Sequence, residues 1–133
     1  MERRQILQWD PIFNVNIKNV DRDHQKLLCT YNQLVEVYNE KGSFSKFSEL
    51  LSELTDYSLN HFKMEEELAK DIPNLNFKEH KIDHQRFIYE VAVFNSEFER
   101  GNYHQMLKII DFLYEWWSTH VMLFDQQLNI NNK

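Results

Sequence analysis

Glycine and proline are scarce in this chain, with only two of each among 133 residues. Few positions can therefore form tight turns, which disfavours a fold of many short strands and favours a few long helices. Hydrophobic residues make up 42% of the chain and aromatic residues 14%. This composition argues against intrinsic disorder and is sufficient for one domain with a buried core.

Four long segments repeat apolar residues at intervals of three and four, the spacing of an amphipathic helix. The segments span about 21–40, 43–70, 77–100 and 103–128. Gly42 and Gly101 lie in two of the breaks between them, and Ser43 or Ser45 can cap the second helix. Short connections between amphipathic helices favour antiparallel neighbours. The predicted fold is therefore all-α, an up-down-up-down four-helix bundle over residues 21–128.

Residues 1–20 lack this helical spacing. Trp9 and Phe13 stand on either side of Pro11, and several asparagines follow. We expect an extended N-terminal arm that packs over the bundle, so that residues 1–133 form a single domain.

The charge and the cysteine content limit the partners and the compartment. A net charge of −6 argues against a nucleic-acid partner, because phosphate binding needs clustered basic residues. No apolar run approaches the length of a membrane span, and the N-terminus lacks the apolar stretch of a signal peptide. The single cysteine, Cys29, excludes an internal disulfide. We expect a cytoplasmic protein without a membrane partner, most simply a monomer, although an oligomer is left open.

Five of the six histidines lie in or beside the apolar stripes of the predicted helices. His61 and Glu65 are four residues apart in the second segment, and His80 and His84 are four apart in the third. Residues with this spacing share a helix face, so each pair can reach one interior site. With the histidines of the first and fourth segments and one later aspartate, the candidate metal ligands are His24, His61, Glu65, His80, His84, His120 and Asp125.

A single histidine on an apolar face is more often a hydrogen-bonded core residue than a ligand. Five imidazoles and two carboxylates buried without a metal would leave many polar atoms unpaired, at roughly 1–3 kcal/mol each. A metal centre is therefore favoured. Seven ligands exceed the four of a tetrahedral zinc site and suit two octahedral ions with bridging carboxylates. Imidazole with carboxylate fits iron, although zinc, manganese or cobalt could occupy such a site in vitro.

The order and spacing of these residues resemble the seven-ligand signature of the hemerythrin family. The flanking sequences VDRDHQKLL, HFKMEEEL and EWWSTHVMLFD agree with it, and the similarity covers nearly the whole chain. The resemblance implies reversible dioxygen binding for storage, delivery or sensing, at two non-haem iron ions with a bridging hydroxide, and no enzymatic activity. It further implies that one iron has three imidazoles, from His80, His84 and His120, and that the other has two, from His24 and His61. Glu65 and Asp125 would bridge both ions.

The surroundings of the open iron are expected to include Leu28, Phe62, Trp117 and Val121, which flank the ligand positions. Trp117 departs from the family, which usually has leucine three residues before this histidine, and a bulkier indole could narrow the oxygen pocket. On an ideal helix, His120 and Asp125 lie roughly 140° apart. We therefore predict a local π-helical widening at the end of the fourth helix.

Two other functions remain open. The first is a di-iron redox enzyme acting on oxygen, peroxide or nitric oxide, but the Glu-x-x-His motif of ferritin-like bundles does not occur in this sequence. The second is an oxygen or iron sensor that acts through a partner protein. Outside the ligand set, we expect His104, Glu66 and Glu67 to face solvent and Cys29 to be buried.

Overall fold

The four predicted helices are present in the computed structural model, which describes residues 4–71, 77–97 and 102–120. They are α1 (Lys18–Asn39), α2 (Phe44–Ala69), α3 (Phe77–Glu97) and α4 (Tyr103–Thr119), and a short 3-10 helix at Pro11–Phe13 precedes them. The described residues contain no strand, so the all-α class is confirmed. The expected continuation of the fourth segment to residue 128 lies outside the described residues, and the single domain over 1–133 remains a prediction.

Polar side chains determine where α2 and α4 begin. Ser43 accepts a hydrogen bond from the backbone N–H of Lys46 at 3.1 Å, and Asn102 accepts one from Gln105 at 3.1 Å. Each side chain satisfies one of the N–H groups that a helix leaves unpaired at its start. The cap predicted at Ser43 is confirmed.

The helices form a closed bundle in which α1 contacts α2 and α4, while α3 also contacts α2 and α4. Residues 40–43 alone join α1 to α2, and so short a connection makes neighbouring helices antiparallel. The N-terminal ends of α1 and α3 consequently lie beside the C-terminal ends of α2 and α4. This is the predicted up-down-up-down arrangement. Among the described helices, none combines the length and the hydropathy of a membrane span.

The interior of the bundle divides into an apolar half and a polar half. The apolar half lies where α1 ends and α2 and α4 begin, and it contains fully buried side chains such as Tyr38, Phe47 and Ile110. Each large apolar side chain buried there stabilises the fold by about 1.5–3 kcal/mol before conformational entropy is counted. The apolar half therefore supplies the stability that allows polar groups to be buried in the other half.

The arm was predicted over residues 1–20, but α1 already begins at Lys18. Residues 4–17 form the described part of the arm, and two asparagines of α1 hold it by paired hydrogen bonds. Asn39 accepts from the Arg4 N–H at 2.8 Å and donates to the Arg4 carbonyl at 2.6 Å. Asn32 accepts from the Leu7 N–H at 2.8 Å and donates to the Leu7 carbonyl at 2.7 Å. The Arg4 guanidinium also pairs with Asp111 of α4 at 2.8 Å. The arm thus bridges α1 and α4.

The spacing of these contacts follows from the geometry of a helix and an extended chain. Asn32 and Asn39 are two turns apart, which is about 10.5 Å along α1. Arg4 and Leu7 are three residues apart, which is about 10 Å along an extended chain. Because the two lengths match, the arm can bind both asparagines while it remains extended.

Replacing Asn32 with alanine should lower the free energy of unfolding by about 1–2 kcal/mol, because the Leu7 N–H and carbonyl both lose a partner. Chemical denaturation measures this change. Asn60→Ala, at an exposed position inside α2, brings the same gain in helix propensity and should alter stability by no more than about 0.5 kcal/mol. Equal stabilities for the two variants would show that Asn32 does not hold the arm.

Candidate metal centre

The polar half of the bundle brings together six of the seven predicted ligands. The antiparallel arrangement places residues near the start of α1 and α3 at the same level as residues late in α2 and α4. Six side chains meet there, each at most 2% exposed: His24, His61, Glu65, His80, His84 and His120. The seventh candidate, Asp125, lies outside the described residues.

The Glu65 carboxylate lies at the centre of this cluster. Its Oε1 atom is 3.0 Å from Nε2 of His61, 3.3 Å from Nε2 of His84 and 3.6 Å from Nε2 of His120. Its Oε2 atom is 3.6 Å from Nε2 of His24. One carboxylate therefore contacts imidazoles from all four helices.

The donor atoms form two groups that share Glu65. The first group consists of Glu65, His80, His84 and His120, and the second of His24, His61 and Glu65. Within each group, one donor atom per residue lies within 4.8 Å of every other. One group thus contains three imidazoles and the other two, and each group with the shared carboxylate could hold a cation.

Electrostatics favour an ionised Glu65. Burial raises the pKa of its carboxyl, but His61 and the hydrogen bonds from His120 and His24 outweigh burial and hold the pKa well below its usual value. A buried carboxylate in a low-dielectric interior is stable only when positive charge or donors surround it. The cluster is therefore an anionic centre ringed by imidazoles.

Three imidazoles contact a second carboxylate through the ring nitrogen that faces away from Glu65. Nδ1 of His61 lies 3.0 Å from Asp23, Nδ1 of His84 lies 3.0 Å from Glu66, and Nδ1 of His120 lies 2.5 Å from Asp83. An ionised carboxylate can only accept hydrogen bonds, so each Nδ1 donates its proton.

Asp23 is in turn held by Tyr57, whose hydroxyl donates to it at 2.5 Å. Burial, and then this hydrogen bond to Asp23, raises the pKa of Tyr57 to about 12. The phenol consequently keeps its proton near neutral pH and remains a donor. The Lys26 ammonium lies 4.2 Å from the centre of the Tyr57 ring, a cation–π distance.

The proton positions give an independent reason to expect a cation. Nε2 of His84 and Nε2 of His120 lie only 3.1 Å apart. When both Nδ1 atoms donate to their carboxylates, two neutral rings would direct Nε2 lone pairs at each other and at the anionic Glu65, whereas two protonated rings would bring two positive charges and two Nε2–H groups together. A shared cation relieves this repulsion, and imidazole with carboxylate is a donor set that iron accepts. The residues present therefore fit a metal centre.

The structure corrects two expectations about neighbouring residues. Glu66 was expected to face solvent, but its side chain is only 25% exposed and contacts His84, because α3 packs against this flank of α2. Cys29 was expected to be buried, yet it is exposed. It lies about 100° around α1 from the buried Leu28 and thus outside the core. His104 and Glu67 are exposed, as expected.

The residues expected around the open iron occupy different places. Leu28 is buried. The Phe62 ring stacks on His84 at 4.0 Å, so it covers the group of three imidazoles, while its ring centre is 6.1 Å from that of His61. Trp117 faces the group of two, with its ring 5.9 Å from that of His24. Val121 lies outside the described residues.

Aromatic rings separate the cluster from the rest of the bundle and from the arm. Trp116, which the sequence analysis did not single out, stacks on His120 at 4.2 Å. Trp9 and Phe13 of the arm contact the outer side of Trp117, at 6.3 and 5.5 Å between ring centres. Trp116 and Trp117 also line a small, mostly apolar cavity of about 20 Å³. The arm therefore reaches the candidate centre through one indole.

The backbone at His120, the first residue of the predicted widening, is π-helical. The amide of His120 itself still bonds to the carbonyls of Trp116 and Trp117, as in an α-helix or a 3-10 helix. The rest of this turn lies outside the described residues, so the position of Asp125 remains a prediction.

Comparison with known proteins agrees with this arrangement. The family model described as the hemerythrin HHE cation binding domain matches residues 15–129. A bacteriohemerythrin of Clostridium acetobutylicum is 26% identical over 125 residues, which is 90% of this chain and 95% of that protein. A bacteriohemerythrin of Pseudomonas aeruginosa is 30% identical over 95 residues, 71% of this chain but 61% of the relative. Because the family model covers most of its length, the chain belongs to the hemerythrin family.

Proposed function

We propose that this protein binds dioxygen reversibly at a di-iron centre held by the seven predicted ligands. The observation that carries the proposal is the position of Glu65, which is fully buried and belongs to both donor groups, one with three imidazoles and one with two. Such a carboxylate is suited to bridge two cations, because each of its oxygens can serve a different ion. Asp125 is proposed as the second bridge.

The unequal numbers of imidazoles suggest where dioxygen would bind. With both bridges and a hydroxide, His80, His84 and His120 would complete six ligands around one iron. The same count with His24 and His61 would reach five, so one position would stay open in the group of two imidazoles. When bound, two ferrous ions supply the open position and the two electrons that reversible dioxygen binding requires.

The protein's own contribution is to hold the imidazoles and to exclude water. Phe62 and Trp116 stack on two of the three imidazoles of one group. Trp117 stands beside His24, where the open position is proposed, and the arm covers the outer side of this indole. An apolar enclosure of this kind favours release of unchanged dioxygen, since water and protons promote irreversible oxidation.

We propose binding rather than catalytic turnover, because the His-rich ligand set offers only two carboxylates to stabilise highly charged iron. The di-iron redox enzyme and the sensor acting through a partner remain the competing functions. The choice among storage, delivery and sensing, and the cytoplasmic location, remain predictions from the sequence.

Reversible binding predicts a specific optical result. The ferrous protein, prepared without oxygen, should develop a visible absorption band when air is admitted and lose it on degassing, over repeated cycles. A band that does not reverse, together with consumption of oxygen or peroxide beyond the amount of protein, would favour the enzyme. An absence of any band in protein shown to contain two iron atoms would contradict dioxygen binding.

Removing the metal should destabilise the fold, because the buried Glu65 and its imidazoles would lose the cations that offset their burial. Thermal unfolding followed by circular dichroism, with and without prior chelation, measures this effect. We expect the melting temperature to fall by roughly 4 °C or more, the shift that about 1 kcal/mol or more produces in a domain of this size. Identical melting curves would count against a metal-dependent core.

Trp117→Leu should widen the space beside His24 and speed both the release of dioxygen and the irreversible oxidation of the centre. Stopped-flow release rates and the half-life of the oxygenated protein measure the two effects. Tyr114→Leu is a matched control, because it makes a similar change at an exposed position of α4. If the two variants behave alike, Trp117 does not limit access to the open position.

A further inference from the structure

Three carboxylates outside the predicted ligand set share one positional rule. Asp23 directly precedes the candidate ligand His24, Asp83 directly precedes His84, and Glu66 directly follows Glu65. Each reaches an imidazole on the next helix along the chain: α1 reaches α2, α2 reaches α3, and α3 reaches α4.

Helix geometry explains this rule. Adjacent residues of an α-helix are turned by about 100°, so the neighbour of an inward-pointing ligand points at the flank, where the next helix lies. Moving one residue back on α1 or α3 turns in the same sense around the bundle as moving one residue forward on the antiparallel α2. The carboxylate therefore precedes the ligand on α1 and α3 and follows it on α2.

The sequence has no carboxylate at the fourth position that this rule would give. That position is the residue directly after His120, which is Val121. Among the described residues, two of the contacts with these outer carboxylates are at His84 and His120 of the group of three, and one is at His61 of the group of two.

We propose that Asp23, Glu66 and Asp83 are positioning residues of the metal centre, each fixing the ring of an imidazole on the next helix. This inference rests on the proposed di-iron function. By accepting a hydrogen bond from Nδ1–H, each carboxylate keeps the proton on Nδ1 and leaves Nε2 free to bind a cation beside Glu65. Each of these hydrogen bonds also connects one helix to the next, because the carboxylate and the imidazole lie on different helices. The orientation of the ring and the packing of the two helices therefore depend on each other.

Burial ranks the three contacts. The side chains of Asp83 and Asp23 are 11% and 12% exposed, and Glu66 is 25% exposed. Asp23 is further held by the Tyr57 hydroxyl. A better buried, better held carboxylate orients its partner more strongly, because less water competes for the hydrogen bond. We expect Asp23 and Asp83 to matter more than Glu66.

Zinc binding provides a test that does not involve dioxygen. Zn²⁺ is redox-inert, and competition with a chromophoric chelator measures the dissociation constant of each bound ion. Asp23→Asn and Asp83→Asn should each weaken binding of one ion about 10–100-fold, the usual cost of losing such an outer partner, and Glu66→Gln should have a smaller effect. Glu67→Gln removes the same charge from an exposed neighbour that pairs with Lys70, and it should change affinity less than about twofold.

Nuclear magnetic resonance of the Nδ1–H protons tests the hydrogen bonds directly, with or without metal. In the wild type, these protons of His61, His84 and His120 should be shifted downfield and protected from exchange. Asp23→Asn should alter only the His61 signal, and Asp83→Asn only the His120 signal. Tyr57→Phe is a milder variant that keeps Asp23 and should affect His61 alone.

The outcomes separate this inference from the proposed function. Zinc affinities within twofold of the wild type for both aspartate variants, or unchanged Nδ1–H signals, would overturn the positioning roles. If the wild type fails to bind two metal ions, the di-iron proposal fails, while the signals of the metal-free protein still decide whether the carboxylates hold the rings.

Discussion

The architecture of this protein depends on burying one negative charge. Glu65 has no exposed surface, and an ionised carboxylate in such a position would destabilise the bundle by roughly 3–5 kcal/mol unless positive charge or donors surrounded it. Imidazoles from four helices surround it, and the cations that they are suited to hold would complete the compensation. Burial of apolar side chains in one half of the bundle stabilises the fold, and this stability offsets the cost of burying a charged group in the other half.

An antiparallel bundle can surround Glu65 with imidazoles from its helices alone. Ligands near the beginnings of α1 and α3 meet ligands near the ends of α2 and α4, so no loop has to reach the centre. The same geometry explains the hydrogen bonds between the imidazoles and the carboxylates of Asp23, Glu66 and Asp83, because a residue next to an inward-pointing ligand faces the adjacent helix. Asp23 and Asp83 therefore reach His61 and His120 from regular turns of α1 and α3. Ligands, outer carboxylates and helix packing form one connected network.

Much of this could be predicted from the sequence, because helical periodicity translates directly into a shared face. The spacing of His61 and Glu65 was enough to direct both side chains to the interior. The contact between Glu66 and His84 could not be predicted in this way, because it depends on which helix lies on that flank and in what direction it runs. The hydrogen bonds of Asn32 to the arm were equally hidden, since an asparagine on a helix surface usually faces water. Periodicity reports the face of a residue, but not the element that covers that face.

The fit between the arm and α1 has an evolutionary consequence. Two turns of helix equal three residues of extended chain, so the pairing of Arg4 and Leu7 with the two asparagines works only for one length of each segment. A single residue deleted or inserted between Arg4 and Leu7 would leave only one of the two asparagines paired while the arm stays extended. The residues between Arg4 and Leu7 can therefore change in type more readily than in number. The number of residues between the two paired positions is therefore a feature by which relatives with the same arm over the candidate metal centre can be recognised.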